Sequence, residues 1–156
     1  MQKIMFVCTG NTCRSAMAAA MLRDKIEKNE ALRGKVEVYS SGIDTDNGYR
    51  ASIKSIETME EHGIDMFWHR ATNMYHSPIA DMDLVLCAEK YHKEQVLRDF
   101  VQLREKGNVY TLKEYVKDKN TMNIEDPYGG DINEYRRCAL EIEECLDKLL
   151  AMNIFK

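Results

Sequence analysis

The sequence lacks the features that mark nucleic-acid-binding, membrane and secreted proteins. Its 22 Lys and Arg residues are outnumbered by 26 Asp and Glu residues, which gives a net charge of −4. Because nucleic-acid backbones attract basic surfaces, we expect no nucleic-acid partner. No apolar run approaches the roughly 20 residues that span a bilayer, and the first residues do not form a secretory signal. We therefore expect no membrane association and a cytoplasmic location.

Disulfide scaffolds and metal sites are also not indicated. The five cysteines are odd in number and do not follow a disulfide-scaffold spacing. No Cys-x2-Cys motif occurs, and the four histidines form no i, i+4 pair of metal ligands. We expect a reduced protein that needs no metal and no other cofactor.

Apolar strands and amphipathic helices alternate along the 156 residues. This order predicts a single domain, 1–156, of the α/β class. Its three layers are a central four-stranded, mainly parallel sheet with helices on both faces. The predicted strands are 4–8, 36–40, 84–88 and 109–112. The predicted helices are 16–28, 50–62, 90–100 and a long last helix from Ile132 onward. Segments 65–83 and 117–131 are predicted as long surface loops.

The segment that follows the first strand, called here the 8–15 loop, carries the strongest chemical signal. Cys8 ends the strand, and Arg14 and Ser15 stand where a helix begins. Backbone N–H groups before a helix N-terminus can bind a tetrahedral oxyanion, and the Arg14 guanidinium can grip two of its oxygens. This environment favours the thiolate form of Cys8, to which Ser15 could donate a hydrogen bond. The pattern predicts cysteine-dependent cleavage of a phosphate ester or phosphoramidate.

The rest of the loop supplies the predicted phosphate cradle. Gly10 permits backbone angles that other residues reach with difficulty, and Asn11 tolerates the left-handed region. The predicted phosphate-binding residues are Thr9, Gly10, Asn11, Thr12, Cys13 and Ser15. Cys13 is interpreted as a packed thiol, with a reversible disulfide to Cys8 as the alternative.

Residues 6–15 closely resemble the signature of low-molecular-weight protein tyrosine phosphatases, and segments 40–42, 69–71, 83–86 and 126–130 extend the likeness. The resemblance implies that Cys8 is the nucleophile and that Arg14 binds phosphate. It further implies that Asn11 holds the loop through Ser15 and Ser40, and that His69 braces the same network.

Asp126, stiffened by Pro127, is the predicted general acid for the leaving group. It would then act as the base for the water that hydrolyses a phosphocysteine intermediate, releasing inorganic phosphate. Tyr128 is predicted to line the pocket mouth, and Asp131 to cap the last helix.

Thr12 bears on the choice of substrate. Many tyrosine-directed members have a bulky aliphatic residue at this position, and the sequence is similar to the protein-arginine phosphatase branch. A hydroxyl suits a guanidinium, so we favour phosphoarginine in proteins over phosphotyrosine. A thiol-linked arsenate reductase is a remote alternative, because Cys87 lacks a second relay cysteine nearby. A module that binds phosphoresidues without cleaving them is disfavoured, because Cys8, Arg14 and Asp126 are all present.

Overall fold

The predicted sheet is confirmed, and all of its strand pairs are parallel. The computed structural model describes residues 1–118 and 120–155. The spatial order of the strands is β2-β1-β3-β4. Their bounds are β1 Gln2–Cys8, β2 Val36–Gly42, β3 Leu84–Cys87 and β4 Val109–Thr111.

The continuous apolar run of β1 reflects burial on both faces of the sheet. Ile4 and Phe6 pack into one hydrophobic core, whereas Met5 and Val7 pack into a second core on the opposite face. Alternating side chains of a strand point to opposite faces, so a central parallel strand needs apolar residues at every position.

Within the described part of the chain, six helices flank the sheet, and their positions establish the three layers. Helices α1 and α6 contribute to the first core, and α3 and α4 to the second. Their bounds are α1 Arg14–Glu27, α2 Ile53–Glu61, α3 Lys90–Asp99, α4 Val101–Lys106, α5 Leu112–Tyr115 and α6 Ile132–Ala151. Among residues 1–118 and 120–155, no helix has the length and apolar character needed to cross a bilayer.

Several predicted boundaries differ from the structure. Helix α2 begins at Ile53 rather than at residue 50, because the Ser52 side chain accepts a hydrogen bond from the Ser55 N–H and caps the helix. Helix α4 and the short α5 were not predicted. At the last helix, Asp131 accepts a hydrogen bond from the Glu134 N–H, as the capping prediction required.

The segment 65–83 is more than a surface loop. Its side chains Met66, Met74, Ile79 and Met82 are fully buried, and the last three complete the second core. Short 3₁₀ turns at Met74–His76 and Ile79–Asp81 hold these side chains inward. The sequence pattern missed them because turns of this length have no helical periodicity.

Candidate active site

The 8–15 loop lies at the carboxyl edge of the sheet, where ligands of parallel α/β sheets bind. Within residues 8–12, four carbonyl oxygens accept hydrogen bonds from other segments of the chain. The pairs are Cys8 with the Ile43 N–H, Thr9 with the Asp44 N–H, Asn11 with the His69 ring, and Thr12 with the Ser52 N–H. In a planar trans peptide the N–H points opposite to the C=O. The N–H groups that follow these carbonyls therefore point away from the outer partners, as an anion-binding loop requires.

Cys8 is the residue around which the loop turns. Its Sγ lies 2.9 Å from the Ser15 Oγ and accepts a hydrogen bond from the Asn11 N–H at 3.3 Å. Only 3% of the residue is exposed, yet it lines an open cleft of about 210 Å³. A nucleophilic sulfur at this position is screened from bulk water and still reachable by substrate.

Asn11 determines the shape of the loop. It has a left-handed φ of 57°, whereas Gly10 is not among the residues with positive φ, so the special backbone angle expected at Gly10 lies one residue later. The Asn11 amide donates to the Ser15 Oγ at 2.8 Å, and its oxygen accepts from the Thr72 N–H at 2.9 Å.

The expected link from Asn11 to Ser40 is not found among the hydrogen bonds of the described residues. Ser15 instead donates to the carbonyl oxygen of Ser41 at 3.4 Å. Both polar ends of Asn11 are already occupied, and the neighbouring strand contributes its backbone at Ser41 rather than a Ser40 hydroxyl.

His69 contacts the loop as the resemblance implies. It is 4% exposed, and its Nε2–H donates to the Asn11 carbonyl at 2.7 Å. Burial lowers the pKa of His69, and the Asn11 hydrogen bond opposes this, while Arg23 and Arg70 lower the pKa further. The neutral ring is therefore favoured, with its proton on the nitrogen that faces Asn11.

Gly42 permits β2 to approach the loop closely. A Cβ at this position would lie 2.6 Å from the Thr9 carbonyl oxygen and 3.0 Å from the Asn11 nitrogen. Both contacts are to backbone atoms, which cannot swing aside as a flexible side chain does. The Gly42 N–H also donates to the Thr72 carbonyl, so this glycine joins the strand to the segment that holds Asn11.

Arg14 is buried at the cleft and connects three parts of the chain. Its Nη1 donates to the Glu89 carboxylate at 2.6 Å and to the Ile124 carbonyl at 2.8 Å. Its Nη2 lies 3.6 Å from the Asp126 carboxylate. Burial alone would lower the pKa of Arg14, but the negative charges of Cys8, Glu89 and Asp126 raise it above its ordinary value.

Sequence reasoning missed Glu89. It stands two residues after β3, at the same sheet edge as Cys8, and an acidic residue at the carboxyl end of a central parallel strand is a signal that could have found it. Its carboxylate accepts from the same Arg14 nitrogen that donates to the Ile124 carbonyl, so the two acceptors together orient the guanidinium.

Asp126 and Tyr128 lie at the cleft, as expected. The Asp126 carboxylate accepts a hydrogen bond from the Tyr128 N–H at 3.0 Å, which forms a local turn around Pro127. The Asp126 side chain is 46% exposed and Tyr128 is 77% exposed. The 117–131 loop is anchored behind them by Ile124, which is buried and donates its N–H to the Ala88 carbonyl.

Thr12 and Cys13 also line the cleft. Thr12 is half-buried, with its side chain at the wall. The Cys13 Sγ lies 3.4 Å from the Ser52 Oγ and 3.5 Å from the Tyr135 hydroxyl. Burial, together with the Cys13 hydrogen bond, raises the pKa of Tyr135, so the phenol remains protonated.

Cys87, on which the arsenate reductase alternative depends, is buried in β3 with 0% exposure. Burial raises the pKa of its thiol. Within residues 1–118 and 120–155, no group of three or more His, Cys, Asp or Glu residues is arranged to hold a metal ion.

Comparison with known proteins places this site in a family. Residues 3–154 match the family model described as low molecular weight phosphotyrosine protein phosphatase. The chain belongs to that family. A protein-arginine-phosphatase of Geobacillus stearothermophilus is 37% identical to this phosphatase, over 94% of this chain and 93% of the relative. The low molecular weight protein-tyrosine-phosphatase PtpB of Staphylococcus epidermidis is 31% identical, over 94% and 96%.

A solved structure supports the same assignment. The mutant of the YwlE arginine phosphatase with a phosphorylated active-site serine superposes on this phosphatase with a TM-score of 0.86. The two are 34% identical over 97% of this chain and 95% of that chain. In that relative, the phosphoryl group is therefore carried covalently by an active-site side chain.

Proposed function

We propose that the protein removes phosphoryl groups from phosphoproteins by a two-step reaction at Cys8. The Cys8 thiolate attacks the phosphorus atom, an S–P bond forms, and the bond from phosphorus to the leaving group breaks. Water then attacks the phosphocysteine, the S–P bond breaks, and inorganic phosphate is released with the thiolate restored.

Arg14 and the loop N–H groups stabilise the charge on the equatorial phosphoryl oxygens. Arg14 is suited to this because Glu89 and the Ile124 carbonyl hold one of its nitrogens. Its other terminal nitrogen lies toward Asp126. The planar fork therefore does not have to be ordered when substrate arrives.

Asp126 serves as the general acid in the first step and as the general base in the second. Its partial exposure leaves the carboxylate accessible to the leaving group and then to water. We assign the remaining loop residues to phosphate binding, His69 to bracing the loop, and Tyr128 with Thr12 to the pocket wall.

We propose phosphoarginine in proteins as the substrate, and phosphotyrosine as the alternative. The observation that carries this choice is that Thr12 and Asp126 line the same cleft as Cys8. The Thr12 hydroxyl and the Asp126 carboxylate can accept hydrogen bonds from the N–H groups of a guanidinium. The phenyl ring of phosphotyrosine offers no such donors, so it leaves the hydroxyl and the carboxylate unpaired. The similarity to a protein named protein-arginine-phosphatase supports the same choice.

We further propose that residues 1–156 act as one phosphatase domain in the cytoplasm, without a cofactor. All five cysteines are free thiols, which suits a reducing compartment. The buried Cys87 disfavours the arsenate reductase alternative, which arsenate turnover coupled to a thiol reductant would restore.

The test compares kcat/KM on a phosphoarginine peptide and a phosphotyrosine peptide with the same flanking residues. We expect a preference for phosphoarginine of about tenfold or more, because a site that hydrogen-bonds substrate N–H groups rejects a substrate that lacks them. The variant Thr12→Ile should shift the ratio toward phosphotyrosine. An unchanged ratio would remove Thr12 from the argument.

Cys8→Ser is the control for both peptides and should abolish turnover on each. Appreciable residual hydrolysis in this variant would contradict the assignment of the nucleophile.

A further inference from the structure

A buried histidine connects the two halves of the phosphate site. His92, in the first turn of α3, is 0% exposed. Its Nδ1 accepts a hydrogen bond from the Glu89 N–H at 3.0 Å, and its Nε2 lies 2.9 Å from the Thr9 Oγ1. The ring therefore bridges the residue that grips Arg14 and the residue that follows Cys8.

The hydrogen bonds determine the tautomer of this ring. Because Nδ1 accepts from a backbone N–H, it carries no proton, and Nε2 must be the donor to the Thr9 hydroxyl. Burial, with Arg14 nearby, lowers the pKa of His92 to about 3, so the ring keeps this neutral form at neutral pH. The Thr9 Oγ1 also bonds the hydroxyl of the half-exposed Tyr91, on the solvent side.

We propose that His92 is a positioning residue, which ties Thr9 in the 8–15 loop to the N-terminal end of α3, from which Glu89 holds Arg14. The proposal rests on the phosphatase reaction proposed above. The 8–15 loop and Glu89, which holds Arg14, come from chain segments about 80 residues apart in sequence, and the imidazole joins them directly. His92 does not touch the substrate.

The expected consequence is a loss of preorganisation when the bridge is broken. Thr9 is the first loop residue after Cys8. Because the Cys8 carbonyl bonds the Ile43 N–H, the Thr9 backbone N–H points away from Ile43, as the other loop N–H groups point away from their own outer partners. Without the His92 bond, the Thr9 side chain keeps only its exposed contact with Tyr91. The loop must then be ordered by the substrate, which weakens phosphate binding and lowers kcat/KM.

Two substitutions separate the two hydrogen bonds. In His92→Asn, the side-chain oxygen can replace Nδ1 as acceptor for the Glu89 N–H, but the side chain is too short to reach Thr9. In His92→Gln, the amide N–H can replace Nε2 as donor to Thr9, and no acceptor remains at the Nδ1 position. Thr9→Val removes the same bond from the other side with nearly unchanged shape, and it also removes the exposed contact with the Tyr91 hydroxyl.

The measurements are kcat/KM on a small phosphate monoester, the competitive inhibition constant of inorganic phosphate, and Tm. We expect His92→Asn and Thr9→Val each to lower kcat/KM by about three- to tenfold, in line with one lost neutral hydrogen bond, and to weaken inhibition by phosphate similarly. His92→Gln should stay closer to the parent than His92→Asn does in kcat/KM and in the inhibition constant of phosphate. We expect this difference even if the Tm of the two variants falls equally. The double variant Thr9→Val/His92→Asn should lose no more kcat/KM than Thr9→Val alone.

Several results would overturn the proposal. Thr9→Val with the kinetic constants of the parent would overturn it, even if neither His92 variant folds. Additive losses of kcat/KM in the double variant would also overturn it. Equal kinetic losses in His92→Asn and His92→Gln that follow Tm would show a purely structural role. His76→Asn, the same change at an exposed histidine outside the loop contacts, is the matched control.

Failure of the proposed function has a separate signature. If the parent itself hydrolyses neither phosphate monoesters nor a phosphoarginine peptide, the proposed reaction is wrong. Calorimetric binding of inorganic phosphate to the parent and Thr9→Val still decides the role of the bridge: equal affinities refute it, and weaker binding by Thr9→Val supports it.

Discussion

At the scale of single residues, the 8–15 loop depends on a glycine that lies outside it. Gly42→Ala should displace the loop, because the added Cβ would lie 2.6 Å from the Thr9 carbonyl oxygen. We expect kcat/KM to fall more than about tenfold, since displacements near 1 Å at a reacting centre have effects of this size or larger. Steady-state kinetics and inhibition by inorganic phosphate provide the measurement. Parent-like phosphate affinity would show that the loop tolerates the methyl group.

Asp126 provides a second prediction at this scale. Asp126→Ala should slow turnover about 10²- to 10⁴-fold for substrates whose leaving groups are strongly basic. Substrates with weakly basic leaving groups should be affected much less, because they depart without protonation. The measurement is kcat/KM, which reports the first step, across a series of aryl and alkyl phosphates. A uniform slowdown across the series would argue against Asp126 as the acid.

Residues differ in how well the sequence revealed them. Cys8, Arg14 and Ser15 stand within one short segment, so their spacing alone indicated an oxyanion site. Glu89 and Gly42 carry no local motif of that kind, and their contacts with Arg14 and Thr9 exist only after distant segments meet. The expected contact of the loop with Ser40 is replaced by a hydrogen bond from Ser15 to the carbonyl of the adjacent Ser41. The sequence does not distinguish between two neighbouring serines on a strand.

At the scale of elements, caps and buried side chains determined the helix boundaries. Ser52 begins α2 and Asp131 begins α6 through side-chain hydrogen bonds. Helix α2 buries polar side chains on its inner face: Ser55 and Thr58 are buried, whereas Ile53 is 74% exposed. Their hydroxyls bond within the chain, so burying them leaves no polar group unsatisfied.

The cap of α6 supports a prediction about stability. Asp131→Ala should lower the free energy of unfolding by about 0.5–2 kcal/mol, because the Glu134 N–H loses its side-chain acceptor and keeps only the longer contact with the Asp131 carbonyl. Urea unfolding followed by circular dichroism measures this change, and the m value should stay constant. Asp131→Asn retains a capping oxygen and is the control. Equal losses in both variants would show that the cap is not the cause.

At the scale of the whole molecule, two cores clamp the sheet and bring its carboxyl edge together. Residues 65–83 complete the second core and also present His69 and Thr72 to Asn11. The packing of this segment thus supports both the fold and the loop. A long stretch without periodic pattern was predicted as surface, although its methionines and Ile79 are buried.

Acid sensitivity of the whole molecule follows from its buried histidines. Burial lowers the pKa of His69 and lowers that of His92 to about 3. The unfolded chain protonates both near pH 6.5, so it binds more protons than the folded chain below that pH. The contribution to stability is complete above about pH 6.5 and declines as the pH falls toward about 3.

Thermal unfolding at about pH 7.5 and about pH 5 measures this effect. His92→Gln removes one of the two histidines, so its Tm should fall less between these pH values than the Tm of the parent. An identical decrease in both proteins would show that His92 does not contribute to the acid sensitivity.

The sequence alone determined what depends on neighbouring residues: the alternation of strands and helices, the parallel sheet, and the Cys8-to-Arg14 spacing with Asp126 before Pro127. These follow from local periodicity and from chemistry contained in short segments. Only the tertiary structure decided which distant groups complete the site. Glu89, Gly42, Thr72 and His92 act through contacts with residues at least about 30 positions away, and such contacts form when packing brings separate elements to one edge of the sheet.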